Sequence, residues 1–243
     1  MIDQQIAIPT KDGHTATFIT HPERGGPFPV ILFYMDAPAI REELRDMARR
    51  LATSGYYVML PNLYYRSGVM ELGALPADPN APERKRMFQL MASLNILMIM
   101  EDTRALLTYA EGQAAANTKI VGTVGYCMSG RYAVNAATHF ADRVKAAASI
   151  YGTHLATDED NSPHLAAGKT RAELYFACAE TGIYAPAEVI EKVKQGMSGA
   201  KAEVEIYPGT HHGFAFPKRP VYDRDAAERH WERLLALYRR NLV

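Results

Sequence analysis

The sequence predicts an α/β protein with a mostly parallel central sheet and helices on both of its faces. Three observations carry that prediction. Short apolar runs alternate with longer stretches of helical periodicity along the whole chain, the pattern of strand, helix, strand units that build parallel sheets. The 243 residues are 48% hydrophobic, enough to bury a sizeable interior. The apolar run 120–124 breaks into a glycine-flanked turn, Gly125-Tyr126-Cys127-Met128-Ser129-Gly130, that leads into a helical stretch.

In chain order, strands are expected over 5–8 and 15–20, flanking Lys11-Asp12-Gly13-His14, whose Asp-Gly pair reads as a hairpin turn. After the Gly25-Gly26-Pro27 break come a buried strand over 30–34, a helix over about 41–53 closed by Gly55, and a strand over 56–60. One long helical region is expected over 82–111, then a strand over 119–124, a helix over 130–140 and a strand over 146–151. The last third holds a strand over 173–177, a helix over 186–197, a strand over 202–207 and an amphipathic helix over about 222–240. No internal repeat, low-complexity tract or linker marks a boundary, so a single domain is expected over 1–243.

Composition narrows the function classes. Lysine plus arginine and aspartate plus glutamate both number 27, so no global field attracts nucleic acid or an anionic membrane. The longest apolar run, 94–100, is far too short to span a bilayer, and residues 1–5 lack the basic and apolar regions of a signal peptide. A cytoplasmic location is expected. The two cysteines, Cys127 and Cys178, do not make a disulfide framework, and Cys178 ends the apolar strand Leu174-Tyr175-Phe176-Ala177-Cys178, where packing is its default role. His211 and His212 are adjacent and the other histidines are scattered, so no metal is expected. With no glycine-rich phosphate loop or dinucleotide fingerprint, no cofactor is expected either.

Chemistry concentrates at Cys127. A sharp strand-to-helix turn that raises a nucleophile above a sheet needs small residues two positions either side, and Gly125 and Ser129 meet that need. The pattern resembles the nucleophile elbow of α/β-hydrolases, with a thiol expected in place of the usual serine. The following helix turns its positive end toward the sulfur and favours the thiolate, and the Met128 N–H is a candidate oxyanion donor. The run Glu205-Ile206-Tyr207-Pro208-Gly209-Thr210-His211-His212-Gly213-Phe214 reads as a strand, a Pro-Gly turn and a histidine loop. In this fold class the histidine follows the final strand, which singles out His212 as the general base.

Four segments in order resemble the dienelactone hydrolase (carboxymethylenebutenolidase) family: Tyr34-Met35-Asp36-Ala37, Leu60-Pro61-Asn62-Leu63-Tyr64-Tyr65-Arg66, the turn at 125–130, and Tyr207-Pro208-Gly209-Thr210-His211-His212-Gly213-Phe214. The resemblance runs from about residue 6 to 238 and implies an α/β-hydrolase fold and hydrolysis of a small ester or lactone through a thioester acyl-enzyme. It also implies an aspartate acid in a stretch like G-x-x-D-x-Φ-x-P. Here that stretch is Ala179-Glu180-Thr181-Gly182-Ile183-Tyr184-Ala185-Pro186, and Gly182 stands where the aspartate belongs. Three readings follow: Glu180 serves as the acid from two residues away, the site is a Cys-His dyad, or the site is impaired.

The resemblance further implies that Asp36 contacts the resting thiol, that the Ala37 N–H is a second oxyanion donor, and that Arg84 lies near an arginine position that holds a substrate carboxylate. Phe216 occupies the second such position, which weakens the case for an anionic lactone. Tyr64, Tyr65, Tyr126, Tyr151, Phe214 and Phe216 are candidate aromatic walls of a mostly apolar pocket, with Tyr126 and Phe214 nearest the motifs. The expected partner is a small-molecule ester or lactone; thioesters or activated phosphoesters on the same thiol, or a non-catalytic ligand-binding protein, are the alternatives. Oligomeric state is not legible.

Overall fold

The computed structural model describes residues 1–73, 75–76 and 78–242. Its backbone contacts form two compact units, Met1–Thr118 and Lys119–Val243.

In the first unit, β1 (Ile2–Thr10) and β2 (Gly13–His21) form an antiparallel hairpin closed at Thr10↔Gly13, around the Asp-Gly pair as expected. Gly13 has φ +136°, a conformation that excludes most side chains. β2 pairs antiparallel with β4 (Tyr57–Pro61), and β4 pairs parallel with β3 (Phe28–Tyr34). Between β3 and β4 runs α1 (Glu42–Ala52). Its first turn holds Glu42 and Glu43 and its last turn Arg49 and Arg50, complementing the helix dipole, while Leu44, Met47, Ala48 and Leu51 are buried. The helical region expected over 82–111 is two helices, α2 (Pro82–Ala92) and α3 (Ile96–Glu111). The break comes from Asn95, whose side chain accepts the Met98 N–H at 2.9 Å as an N-cap; a capping side chain satisfies a free helix-end donor better than a mid-helix asparagine serves the helix.

In the second unit, β5 (Ala116–Tyr126), β6 (Val144–Ile150), β7 (Glu173–Thr181) and β8 (Ala202–His211) pair in that order, all parallel. The crossovers carry α4 (Gly130–His139) and α5 (Ala187–Gly196), and the chain ends in α6 (Arg224–Asn241). α4 and α6 pack on β6, and α5 packs on β8. Antiparallel pairing among the described ladders is confined to β1, β2 and β4, so the sheet is mostly parallel.

β7 and β8 both run past their expected ends. The Pro-Gly pair expected to turn the chain after residue 207 instead sits inside β8, in a bulge: Ala179 pairs with Tyr207, and the next partners are Thr181 and His211. Proline has no N–H to give a ladder and Gly209 takes φ +72°, so the strand bends here without ending.

Candidate active site

β5 delivers Cys127. The strand ends at Tyr126, one 3-10 turn covers Cys127–Ser129, and α4 starts at Gly130. Cys127 has φ +58°, a left-handed conformation costly for any residue with a Cβ. Glycine alone permits so tight a turn. A Cβ on Gly125 would lie 2.0 Å from the Ser129 carbonyl oxygen, and one on Gly130 would lie 2.2 Å from the Ser149 hydroxyl and 2.7 Å from Gly152 Cα. The expected small pair was Gly125 and Ser129; the structure adds Gly130, where α4 crosses the end of β6. The Cys127 carbonyl accepts the Thr153 N–H at 3.0 Å, tying the turn to the loop after β6. Cys127 is 9% exposed, against 2% for Cys178. Burial pushes the Cys178 thiol up to about 12, with Lys194 opposing it, so at neutral pH that sulfur is an inert packing group. Met128, the candidate oxyanion donor, is the second residue of the 3-10 turn.

His212 follows β8 directly. Its ring packs against two tyrosines, with centroids 5.0 Å from Tyr151 and 4.8 Å from Tyr184. Tyr151 is buried beyond the end of β6, with φ +36° and its N–H donated to the Ala177 carbonyl at 2.6 Å. Gly182 borders the histidine: a Cβ there would sit 3.6 Å from His212 Cβ, an ordinary contact. Glu180 is exposed at the end of β7, and its Oε2 accepts the Gly209 N–H at 2.8 Å, within the bulge of β8. Its carboxylate thereby pairs a strand N–H at the bulge, three residues before His212.

Tyr126 and Phe214 show no exposed surface. Tyr126 donates to or accepts from His230 Nε2 at 3.0 Å, and its ring packs on Tyr151 and Phe216; Phe214 packs on Tyr151 and stacks on Tyr207. Both thus pack against Tyr151 as buried core rings. A cavity of about 520 Å³ in this unit lies elsewhere, between α4 and the 158–169 loop, and none of the candidate residues lines it.

In the first unit, Asp36 follows β3 and is fully buried. Arg41 holds it with Nη1 donating to Oδ1 at 2.7 Å and Nη2 to Oδ2 at 3.2 Å, and its Nε donates to Glu43 at 3.0 Å. Burial works against the Arg41 charge, but Asp36 and Glu43 outweigh it and keep the guanidinium firmly protonated. Ala37 is buried and its carbonyl accepts the Tyr64 hydroxyl at 3.0 Å. Arg84 is half-buried on α2, with Nε donating to the Pro76 carbonyl. Arg41 was not singled out from the sequence; an arginine five residues past an aspartate in a loop carries no periodic signal.

A model of the dienelactone hydrolase family matches residues 15–242, nearly the whole chain. The chain belongs to the dienelactone hydrolase family. A Methylorubrum extorquens protein described as "Putative carboxymethylenebutenolidase" is 28% identical over 98% of this chain and 81% of its own. An Escherichia coli protein with the same description is 27% identical over 96% of this chain and 85% of its own. Among solved structures, "Putative Dienelactone Hydrolase" from Klebsiella pneumoniae superposes with a TM-score of 0.86 at 24% identity, covering 98% of both chains, and shares the fold. This dienelactone hydrolase family member thus has the α/β-hydrolase fold and is an ester or lactone hydrolase by family. No helix among its described residues is long and apolar enough to cross a membrane.

Proposed function

We propose that this dienelactone hydrolase family member cleaves small esters or lactones through Cys127, with His212 as general base. The observation that carries the reading is the left-handed backbone of Cys127 on a turn that only glycines at 125 and 130 permit. Strain of that kind persists where the surrounding structure holds it, and it presents the side chain at the mouth of α4. His212 takes the thiol proton; the sulfur attacks the carbonyl carbon; the Met128 N–H receives the developing oxyanion. The tetrahedral intermediate then collapses, His212 returns the proton to the leaving alkoxide, and water hydrolyses the thioester with His212 as base again. Glu180 supports the imidazole through the backbone: its carboxylate holds the Gly209 N–H and so the path of the chain into His212.

Burst kinetics with p-nitrophenyl acetate test the reading. A prompt burst of about one equivalent of p-nitrophenol is expected, lost in Cys127→Ala. Glutamine keeps an oxygen that accepts the Gly209 N–H, so E180Q should lose less than about threefold in turnover and E180A about tenfold, the scale of one lost hydrogen bond. A loss near 10⁴ in E180Q would instead make Glu180 the acid of a triad. A second reading, a ligand-binding protein without turnover, is motivated by Gly182 in the acid position. It gains if intact protein binds ester analogues but gives no burst.

A further inference from the structure

We propose that Tyr184 and Tyr151 clamp the imidazole of His212, and that Tyr184 is a positioning residue for it. The inference rests on His212 acting as the base. Two aromatic centroids within 5.0 Å of one imidazole, at interplanar angles of 65° and 55°, give edge and tilted contacts of the kind ring quadrupoles favour. The Tyr151 side of the clamp is rigid. That ring is buried, its backbone is held by the bond to Ala177, and Tyr126, Phe214 and Phe216 back it at centroid distances of 5.9, 5.3 and 6.2 Å.

The Tyr184 side is different. Its loop leaves β7 at Thr181 and enters α5 at Ala187, and the neighbouring Ile183 is 86% exposed. Tyr184 is itself 42% exposed, yet its ring is turned onto the histidine. The imidazole is thus a ring contact of a side chain that keeps much of its surface in solvent. Gly182 borders the same histidine, where a Cβ would make only an ordinary contact of 3.6 Å with His212 Cβ. A ring held by two aromatic neighbours loses less orientational freedom when it meets the thiol and the leaving group, and misplacement by about 1 Å can cost as much as 100-fold in rate.

Tyr184→Leu and Tyr184→Phe in the full-length chain test the clamp, and partial exposure of Tyr184 makes both variants compatible with folding. The readouts are the NMR signals of the His212 ring protons, and kcat and KM for p-nitrophenyl acetate. In Y184L the ring signals should move and broaden, and kcat should fall roughly tenfold with KM changed less than about twofold. Y184F should return both. Unmoved ring signals overturn the clamp, and so does an effect confined to KM, which would make Tyr184 a wall for substrate. If the intact protein shows no burst dependent on Cys127, the catalytic reading fails; the ring signals still decide whether the two tyrosines hold the histidine.

Discussion

Replacing Gly182 by aspartate places a carboxylate beside His212, and the structure sets the size of the effect. A Cβ at 182 meets His212 Cβ at 3.6 Å, and the backbone there is not left-handed, so the side chain enters without a clash. Carboxylate oxygens reach roughly 2.4 Å beyond Cβ, so a rotamer turned toward the ring puts the charge about 5 Å from the imidazole. Two unit charges at about 5 Å attract by about 3 kcal/mol at an effective dielectric of 20 and by less than about 1 kcal/mol in bulk water. His212 is half-buried, between these limits, and about 1.4 kcal/mol is the working value. That corresponds to one pKa unit upward for the imidazole and about tenfold in the step that forms the imidazolium. The assay is a pH profile of the p-nitrophenyl acetate burst. The plateau rate should rise about tenfold, and the acid limb should move up by about one unit, because a higher pKa keeps the base protonated to higher pH. A profile superimposable on that of the unsubstituted protein would refute the placement of residue 182 beside the proposed base, His212.

Other substitutions probe the scaffold. Gly125→Ala forces a Cβ to 2.0 Å from the Ser129 carbonyl, a backbone atom that cannot swing aside, and should cost at least about 3 kcal/mol in urea unfolding together with the burst. Arg41→Ala leaves Asp36 buried with its bidentate partner removed; because Arg41 keeps some exposure, a loss of roughly 2–4 kcal/mol is expected in the same measurement. Iodoacetamide at pH 7.5, read by mass spectrometry, should label Cys127 and spare Cys178, whose thiol is held near 12; Cys178→Ala should leave the labelling rate at Cys127 unaltered. Burial raises the pKa of Glu173, but hydrogen bonds from Arg240, Lys201 and Asn241 outweigh it and hold the carboxyl at about 2 against 4.5 when free. A depressed carboxylate stabilises the fold above the free value, so this contribution is complete above about pH 4.5 and disappears between about 4.5 and about 2. Exposure of Arg240 and Lys201 limits it to about 1 kcal/mol. Glu173→Gln should flatten the fall of the urea midpoint across that window by this amount.

Much of the fold was legible because its signals are local. The Asp-Gly hairpin is a two-residue property, and the apolar runs announce strands whatever they pair with. Where the reading missed, longer-range competition decided. Residues 82–111 look continuously helical until Asn95 captures the Met98 N–H. Pro208-Gly209 looks like the end of a strand, yet β7 continues beside it to Thr181 and Glu180 takes up the Gly209 N–H. A Pro-Gly pair carries no mark of whether a neighbouring strand will supply an acceptor.

The amino-acid sequence by itself determined the tight glycine-flanked turn at Cys127 and the order in which Cys127 and His212 enter the chain. Those features depend on contacts within a few residues, where a Cβ at 125 strikes the chain four residues on. Only the tertiary structure decided which rings meet the histidine, Tyr151 from beyond β6 and Tyr184 from beyond β7, and that Glu180 binds the Gly209 N–H. Such neighbours are set by strand register and by one bulge. A shift of a single residue there turns side chains to the other face of a sheet, and no short stretch of sequence encodes that choice.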